Sequence, residues 1–395
     1  MPENKTSVSE SNLPVSFLPR ETPSLEAEEK GIALCLSGGG YRAMLFHAGA
    51  LIRLNELGYF SKIDRVSSVS GGSITAGVLA LNWSKLTFDQ TGVATNLRQA
   101  VIEPIRKMAS KTIDASSIIE GVLLPGSVAD HIASAYREYL FGHATLQDLP
   151  NRPRFVINAT NVQSGVLWRF SKPYMWDYRV GKVENPKTEL AIAVGASSAF
   201  PPVLSPVEMK LDPASFTAGT GEDLQREPFT SDVILTDGGV YDNLGLETAF
   251  KRYSTVLVSD GGGGLAAEAE PKKDWARHAY RVLNIIDSQV RALLVRQLID
   301  AYEAGIRGGG YWGIRSDIRR YTAPGVLNCP FEKTIKIADT PTRLKRLEEA
   351  DQNAIMDWGY AICDAGMRMR EVPSAKPPSG SPYGTFSAAK SASQP

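Results

Sequence analysis

Three short stretches of this chain carry residue types that could together perform nucleophilic hydrolysis. The first, Ser37-Gly38-Gly39-Gly40-Tyr41-Arg42-Ala43-Met44, follows the apolar run 32–36. The second, Ser68-Val69-Ser70-Gly71-Gly72, follows the apolar run 63–66. The third, Thr236-Asp237-Gly238-Gly239, lies far downstream. Consecutive glycines let backbone amides converge on an anion at the start of a helix. A strand that turns sharply into a helix exposes the side chain at the turn, and small neighbours relieve the crowding there. A carboxylate at a strand end can take the proton of a hydroxyl within hydrogen-bond reach. An oxyanion cradle (Gly38, Gly39, Gly40 and the amide of Gly71), a serine nucleophile (Ser70) and a base (Asp237) make a hydrolase the first reading.

Each piece has a competing reading. Ser70 could be a helix N-cap, and Ser68 and Ser73 are rival serines without the central position. The glycines could cradle a nucleotide phosphate, but no Gly-Lys-Ser/Thr follows them. Gly38, Gly40 and Ala43 loosely fit a dinucleotide fingerprint, with Asp64 as its acidic partner. Asp64 opens the second strand, however, whereas ligands of such sheets sit at strand carboxyl ends. Arg42 could hold a phosphate, support the cradle loop or form a salt bridge. Asp260-Gly261-Gly262 repeats the Asp-Gly-Gly pattern at another strand end and competes with Asp237, and either could be a plain turn. His47 is the alternative base, with a packed histidine as its other reading.

Strands and helices must bring these pieces together. Runs 31–36, Ile63–Val69, Arg154–Asn161, 166–171, 233–236 and 255–259 read as strands. Runs 44–58, 72–82, 189–197, 243–251, 275–304 and 343–369 read as helices. This alternation predicts an α/β fold with a mainly parallel sheet flanked by helices. Residues 83–149 break the rhythm as a helical insertion or cap, within which 118–124 is apolar enough to touch lipid but reads first as an ordinary helix packed on the core. Residues 1–28 and 373–395 read as a flexible arm and a disordered tail. Between them the expected organisation is a catalytic domain over 29–262 and a mostly helical region over 263–372 packed on it.

Composition narrows the function. The 395 residues hold 43 Lys and Arg against 43 Asp and Glu, and zero net charge argues against bulk attraction to nucleic acid. Cys35, Cys329 and Cys363 form no disulfide or zinc framework, so a reducing compartment is expected. His47, His131, His143 and His278 show no metal spacing. With neither a signal-like segment nor a span-length apolar run, the protein is expected to be soluble and cytoplasmic, able to work at a membrane surface.

In this order the motifs resemble those of the patatin-like phospholipases over residues 30–260. Gly38-Gly39-Gly40-Tyr41-Arg42 is similar to the family's glycine loop, Ser70 sits in its elbow, and Asp237-Gly238-Gly239 with Val240-Tyr241-Asp242-Asn243 resembles its Asp-Gly-Gly/Ala motif. Ala196-Ser197-Ser198-Ala199-Phe200-Pro201-Pro202 also looks like a family segment. Gly-Gly-Gly-Tyr-Arg-Ala-Met further resembles the loop of cytosolic phospholipase A2 enzymes. Ser68 departs from the elbow's first glycine and Ala43 from the glycine that often ends the first motif.

The resemblance implies a three-layer α/β/α fold and a Ser70–Asp237 dyad working through an acyl-enzyme on membrane phospholipid. Gly39 and Gly40 would then be oxyanion donors and Arg42 a support for the loop or for phosphate, with no metal or organic cofactor. It favours Asp237 over Asp260 and implies peripheral association with the inner membrane face. Some bacterial relatives are antiviral effectors switched on by a cyclic nucleotide, which makes such an activator, and an oligomer, further expectations. The alternative is an inactive, lipid-binding module on the same fold.

Overall fold

The computed structural model describes residues 29–113 and 128–388. They form a mixed 11-stranded sheet flanked by helices. In chain order the strands are β1 (Glu29–Leu36), β2 (Ile63–Val69), β3 (Arg154–Asn161), β4 (Val166–Phe170), β5 (Tyr174–Asp177), β6 (Gly181–Glu184), β7 (Val207–Lys210), β8 (Phe216–Thr217), β9 (Asp232–Asp237), β10 (Tyr253–Asp260) and β11 (Gly308–Gly313). The helices are α1 (Gly40–Glu56), α2 (Gly71–Asn82), α3 (Glu103–Ala109), α4 (Val128–Tyr136), α5 (Leu190–Ser197), α6 (Gly239–Asp242), α7 (Trp275–Glu303), α8 (Phe331–Ala338) and α9 (Glu349–Arg370).

The long strands form a parallel core in the order β11-β10-β1-β2-β3, and shorter strands extend it antiparallel from β3. The core strands are near-continuous apolar runs because both faces are covered. Along β1, Leu34 and Leu36 enter the larger core cluster while Ala33 and Cys35 enter a smaller one with Leu298 and Tyr302 of α7. Alternate side chains thus serve opposite layers, giving the expected α/β/α sandwich.

One detail of register creates the site. β2 pairs with β3 up to Val69 opposite Asn158, and β9 takes over the same edge of β3 with Asp237 opposite Ala159. β2 runs parallel to β3 and β9 antiparallel, so the two strands meet with their carboxyl ends abutting on adjacent rungs. The chain leaves one end as Ser70 and ends the other as Asp237.

Elsewhere the expectations need correction. The helix expected over 243–251 is a series of turns, because the Asp242 carboxylate gathers the amides of Leu244, Gly245 and Glu247 at 3.0, 3.1 and 2.7 Å. The helix expected from 343 starts at Glu349. Residues before it spend their carbonyls elsewhere, Arg343 on the Tyr41 amide and Leu344 on that of Ile113. Residues 373–388, expected to be disordered, pack on α9: Phe386 is buried edge-on to Trp358, and Asp357 accepts the Tyr383 and Thr385 amides. The described parts of 83–149 are largely helical. The proposed arm 1–28, the apolar run 118–124 and residues 389–395 lie outside the described residues.

Candidate active site

Ser70 caps α2 with φ 52° and ψ −122°, a positive φ that a non-glycine residue adopts only under strain. Gly72 makes the sharp turn fit, since a Cβ there would lie 2.3 Å from the Leu36 carbonyl oxygen. Ser70 is 8% exposed, while its rivals Ser68 and Ser73 are fully buried. The Ser73 hydroxyl is engaged by Ser68 at 3.0 Å and by Ser197 at 2.8 Å. Ser68, in place of the usual glycine, therefore braces the elbow from inside.

Asp237 is buried, and its Oδ1 accepts the Gly239 amide at 2.7 Å. Oδ2 has no donor in full hydrogen-bond geometry. Burial pushes the carboxyl up to about 7, against the Gly239 amide and a side-chain hydrogen bond from Ser70, both of which favour the charged form. The Ser70 hydroxyl thus lies near a carboxyl whose raised pKa would let it exchange a proton near neutral pH. Ser197, at the end of α5, ties the pair together: its carbonyl accepts the amides of Ser70 at 3.1 Å and Gly238 at 3.3 Å, and its hydroxyl also accepts that of Ser70.

The amides of Gly39, Gly40 and Gly71 have no hydrogen-bond partner among the described residues. They lie at the N-termini of α1 and α2, which touch: a Cβ on Gly71 would stand 2.9 Å from the Gly40 nitrogen. Two helix N-termini side by side offer unpaired donors and the positive ends of two dipoles to an oxyanion. Gly38 does not belong to this set, because its amide is spent on the Asn243 carbonyl at 3.0 Å. Arg42 reaches away from the elbow, donating to the carbonyls of Gly261 at 3.2 Å and Thr340 at 2.5 Å. It supports the loop, and burial beside Arg291 and Arg315 lowers its pKa to about 10.

The other candidates are occupied. Asp260 Oδ2 is held by Arg291 at 3.0 Å and by the Tyr311 hydroxyl at 2.7 Å, and its Oδ1 by the Gly262 amide. His47 lies between the Ser37 carbonyl at 2.9 Å and the Ser259 hydroxyl at 2.8 Å. A carbonyl only accepts, so Nε2 carries the proton, and burial lowers the ring pKa to about 4. Asp64 accepts the Ile32 amide at the opposite end of the sheet, away from any dinucleotide.

Sequence reasoning did not single out three residues of the site. Asn243 fixes Gly38 through its carbonyl. Asn158 donates to Ser67 and to the Ser68 carbonyl beneath the elbow at 3.0 Å each. Tyr136 of α4 is buried, bonds Ser198 at 3.1 Å and feels the Asp237 charge. Asn243 stood inside a quoted motif, whereas neither Asn158 nor Tyr136 carried any local signal.

A family model described as patatin-like phospholipase matches residues 34–250. No curated protein matches the sequence. Similar solved structures include human GIVD cytosolic phospholipase A2, at 12% identity and TM-score 0.48, with 87% of this chain and 62% of that chain covered. VipD from Legionella pneumophila matches at 17% identity and TM-score 0.35, covering 87% and 66%. The complex of SpcU with ExoU from the type III secretion system of Pseudomonas aeruginosa matches at 16%, with TM-score 0.25, covering 71% and 53%. The chain spans less than two thirds of the human protein's length.

Proposed function

The chain belongs to the patatin-like phospholipase family, and from that premise we propose that it hydrolyses acyl esters of membrane phospholipids with Ser70 as nucleophile and Asp237 as general base. The observation that carries this reading is the buried, half-unsatisfied Asp237 carboxylate facing a strained Ser70 beside three unpaired amides.

Ser70 Oγ attacks the ester carbonyl carbon as its proton passes to Asp237. The carbonyl oxygen becomes an oxyanion held by the amides of Gly39, Gly40 and Gly71. The ester C–O bond then breaks, Asp237 returns the proton to the departing lysophospholipid oxygen, and the acyl group stays on Ser70. Water, deprotonated by Asp237, attacks the acyl-enzyme; fatty acid leaves and Ser70 is restored. No histidine is required. Each oxyanion donor contributes about 10²–10³ in turnover.

Among the described residues no helix is long and apolar enough to cross a membrane; on this reading the phospholipid substrate is met at a membrane surface. The small exposure of Ser70 supports an entrance that must widen for a lipid chain. Opening by a cyclic nucleotide, in a bacterial antiviral role, is the regulation that the family resemblance suggests. The test is fatty-acid release from mixed-acyl phospholipid vesicles, with and without cyclic dinucleotides, alongside fluorophosphonate labelling. Ser70→Ala is expected to lose both labelling and release; release retained by folded Ser70→Ala protein overturns the assignment.

A further inference from the structure

Helix α7 has 29 residues, of which only Leu298, Ala301 and Tyr302 are buried. One side is tied down, with Arg291 gripping Asp260 and the Gly263 carbonyl. The opposite side carries Trp275, Ile286 and Leu293, exposed by 85%, 55% and 58%, together with Val282. Their steps of seven, four and seven residues are those of a coiled-coil seam, and Ala279 and Gln289 occupy the two intervening positions. A single polar residue within such a seam fixes register and partner number.

Charge along the helix identifies the occupant. Lys272 and Lys273 stand at its start and Asp300 and Glu303 at its end, all exposed. None of the four makes an ion pair among the described residues. An antiparallel copy, with its two-fold axis between Ile286 and Gln289, sets Val282 against Leu293 and brings the basic start of each helix to the acidic end of the other. The two helix dipoles also align favourably. An anionic lipid surface would meet the acidic end as well as the basic one, on a chain of zero net charge. We infer that α7 is a dimerisation helix, pairing antiparallel with α7 of a second copy of this chain.

Sedimentation velocity on the full chain at micromolar concentration is expected to show a dimer. Ile286→Glu combined with Leu293→Glu should give a monomer that still unfolds cooperatively, at a temperature that no longer depends on protein concentration. Reversing Asp300 and Glu303 to Lys should weaken the dimer at least tenfold, and adding Lys272→Glu and Lys273→Glu should restore it. Val282→Cys with Leu293→Cys should form a disulfide-linked dimer on oxidation. A wild-type chain that stays monomeric overturns the inference, as does a monomer that floats with anionic vesicles through this same face.

Discussion

Burial is the largest influence on Asp237, raising its carboxyl to about 7 while the Gly239 amide and the Ser70 hydroxyl pull the other way. The value suits a base at neutral pH, so kcat/KM should climb through about pH 7 and level off above it. The same shift has a stability consequence. A carboxyl whose folded pKa exceeds its unfolded value of 3.8 loses its favourable contribution as pH rises between the two. Asp237→Asn keeps the acceptor for the Gly239 amide and cannot ionise. It is expected to lower turnover by about 10²–10⁴-fold yet unfold at a higher temperature than wild type at pH 8, with the difference vanishing near pH 4. Equal melting temperatures at pH 8 would show that the carboxylate is not strained by burial. The sequence displayed this residue but did not separate it from Asp260 by local pattern, since both open an Asp-Gly-Gly turn. Their difference comes from Arg291 and Tyr311, 31 and 51 residues beyond Asp260, which engage the Asp260 carboxylate and leave Asp237 with no cation or tyrosine on its oxygens among the described residues.

The cradle depends on two helices starting in contact. A Cβ on Gly71 would lie 2.2 Å from the Gly40 carbonyl oxygen, so Gly71→Ala must push the N-termini of α1 and α2 apart. Displacing one donor is expected to reduce turnover by about 10²–10³-fold, and overpacking to cost about 1–3 kcal/mol. Vesicle hydrolysis and thermal unfolding of that variant read the two effects separately; wild-type turnover would remove Gly71 from the oxyanion site. An element that ends in such a glycine turn was legible, because the strand stops at it: β2 has the expected bounds, as does β3 before its hairpin. β11 was not, since Gly308-Gly309-Gly310 carries no strand propensity. Gly309 is there for space, a Cβ on it falling 1.9 Å from the Val256 carbonyl oxygen. The expected 243–251 helix failed for a comparable reason: a buried aspartate three residues past Gly239 captured the amides that a helix would have used.

Although the family match ends at residue 250, the cradle rests on chain well beyond it. α9 crosses α1 at two glycines, where a Cβ on Gly49 would lie 1.9 Å from the Met356 carbonyl oxygen and one on Gly359 2.0 Å from that of Phe46. Their backbones touch, so α9 is the cover for the helix whose N-terminus supplies Gly40. Asp364 of α9 is buried between Arg53 of α1 and Arg368, at 2.7 Å from each. Removing one partner of such a group leaves uncompensated buried charge, typically at a cost of about 3–5 kcal/mol. Arg343 and Thr340 hold the Tyr41 amide and the Arg42 guanidinium from the same direction. The region after residue 262 is therefore structural to the site, and the whole chain should unfold in one cooperative transition. A fragment ending at residue 348 exposes the apolar face of α1 and takes the buried Asp364 carboxylate from Arg53, leaving it only the half-exposed Glu56. It is expected to be insoluble or to lack cooperative unfolding, with no fluorophosphonate labelling of Ser70. A soluble 29–348 fragment that melts cooperatively and labels at the wild-type rate would show instead that the cradle is built before α9 docks.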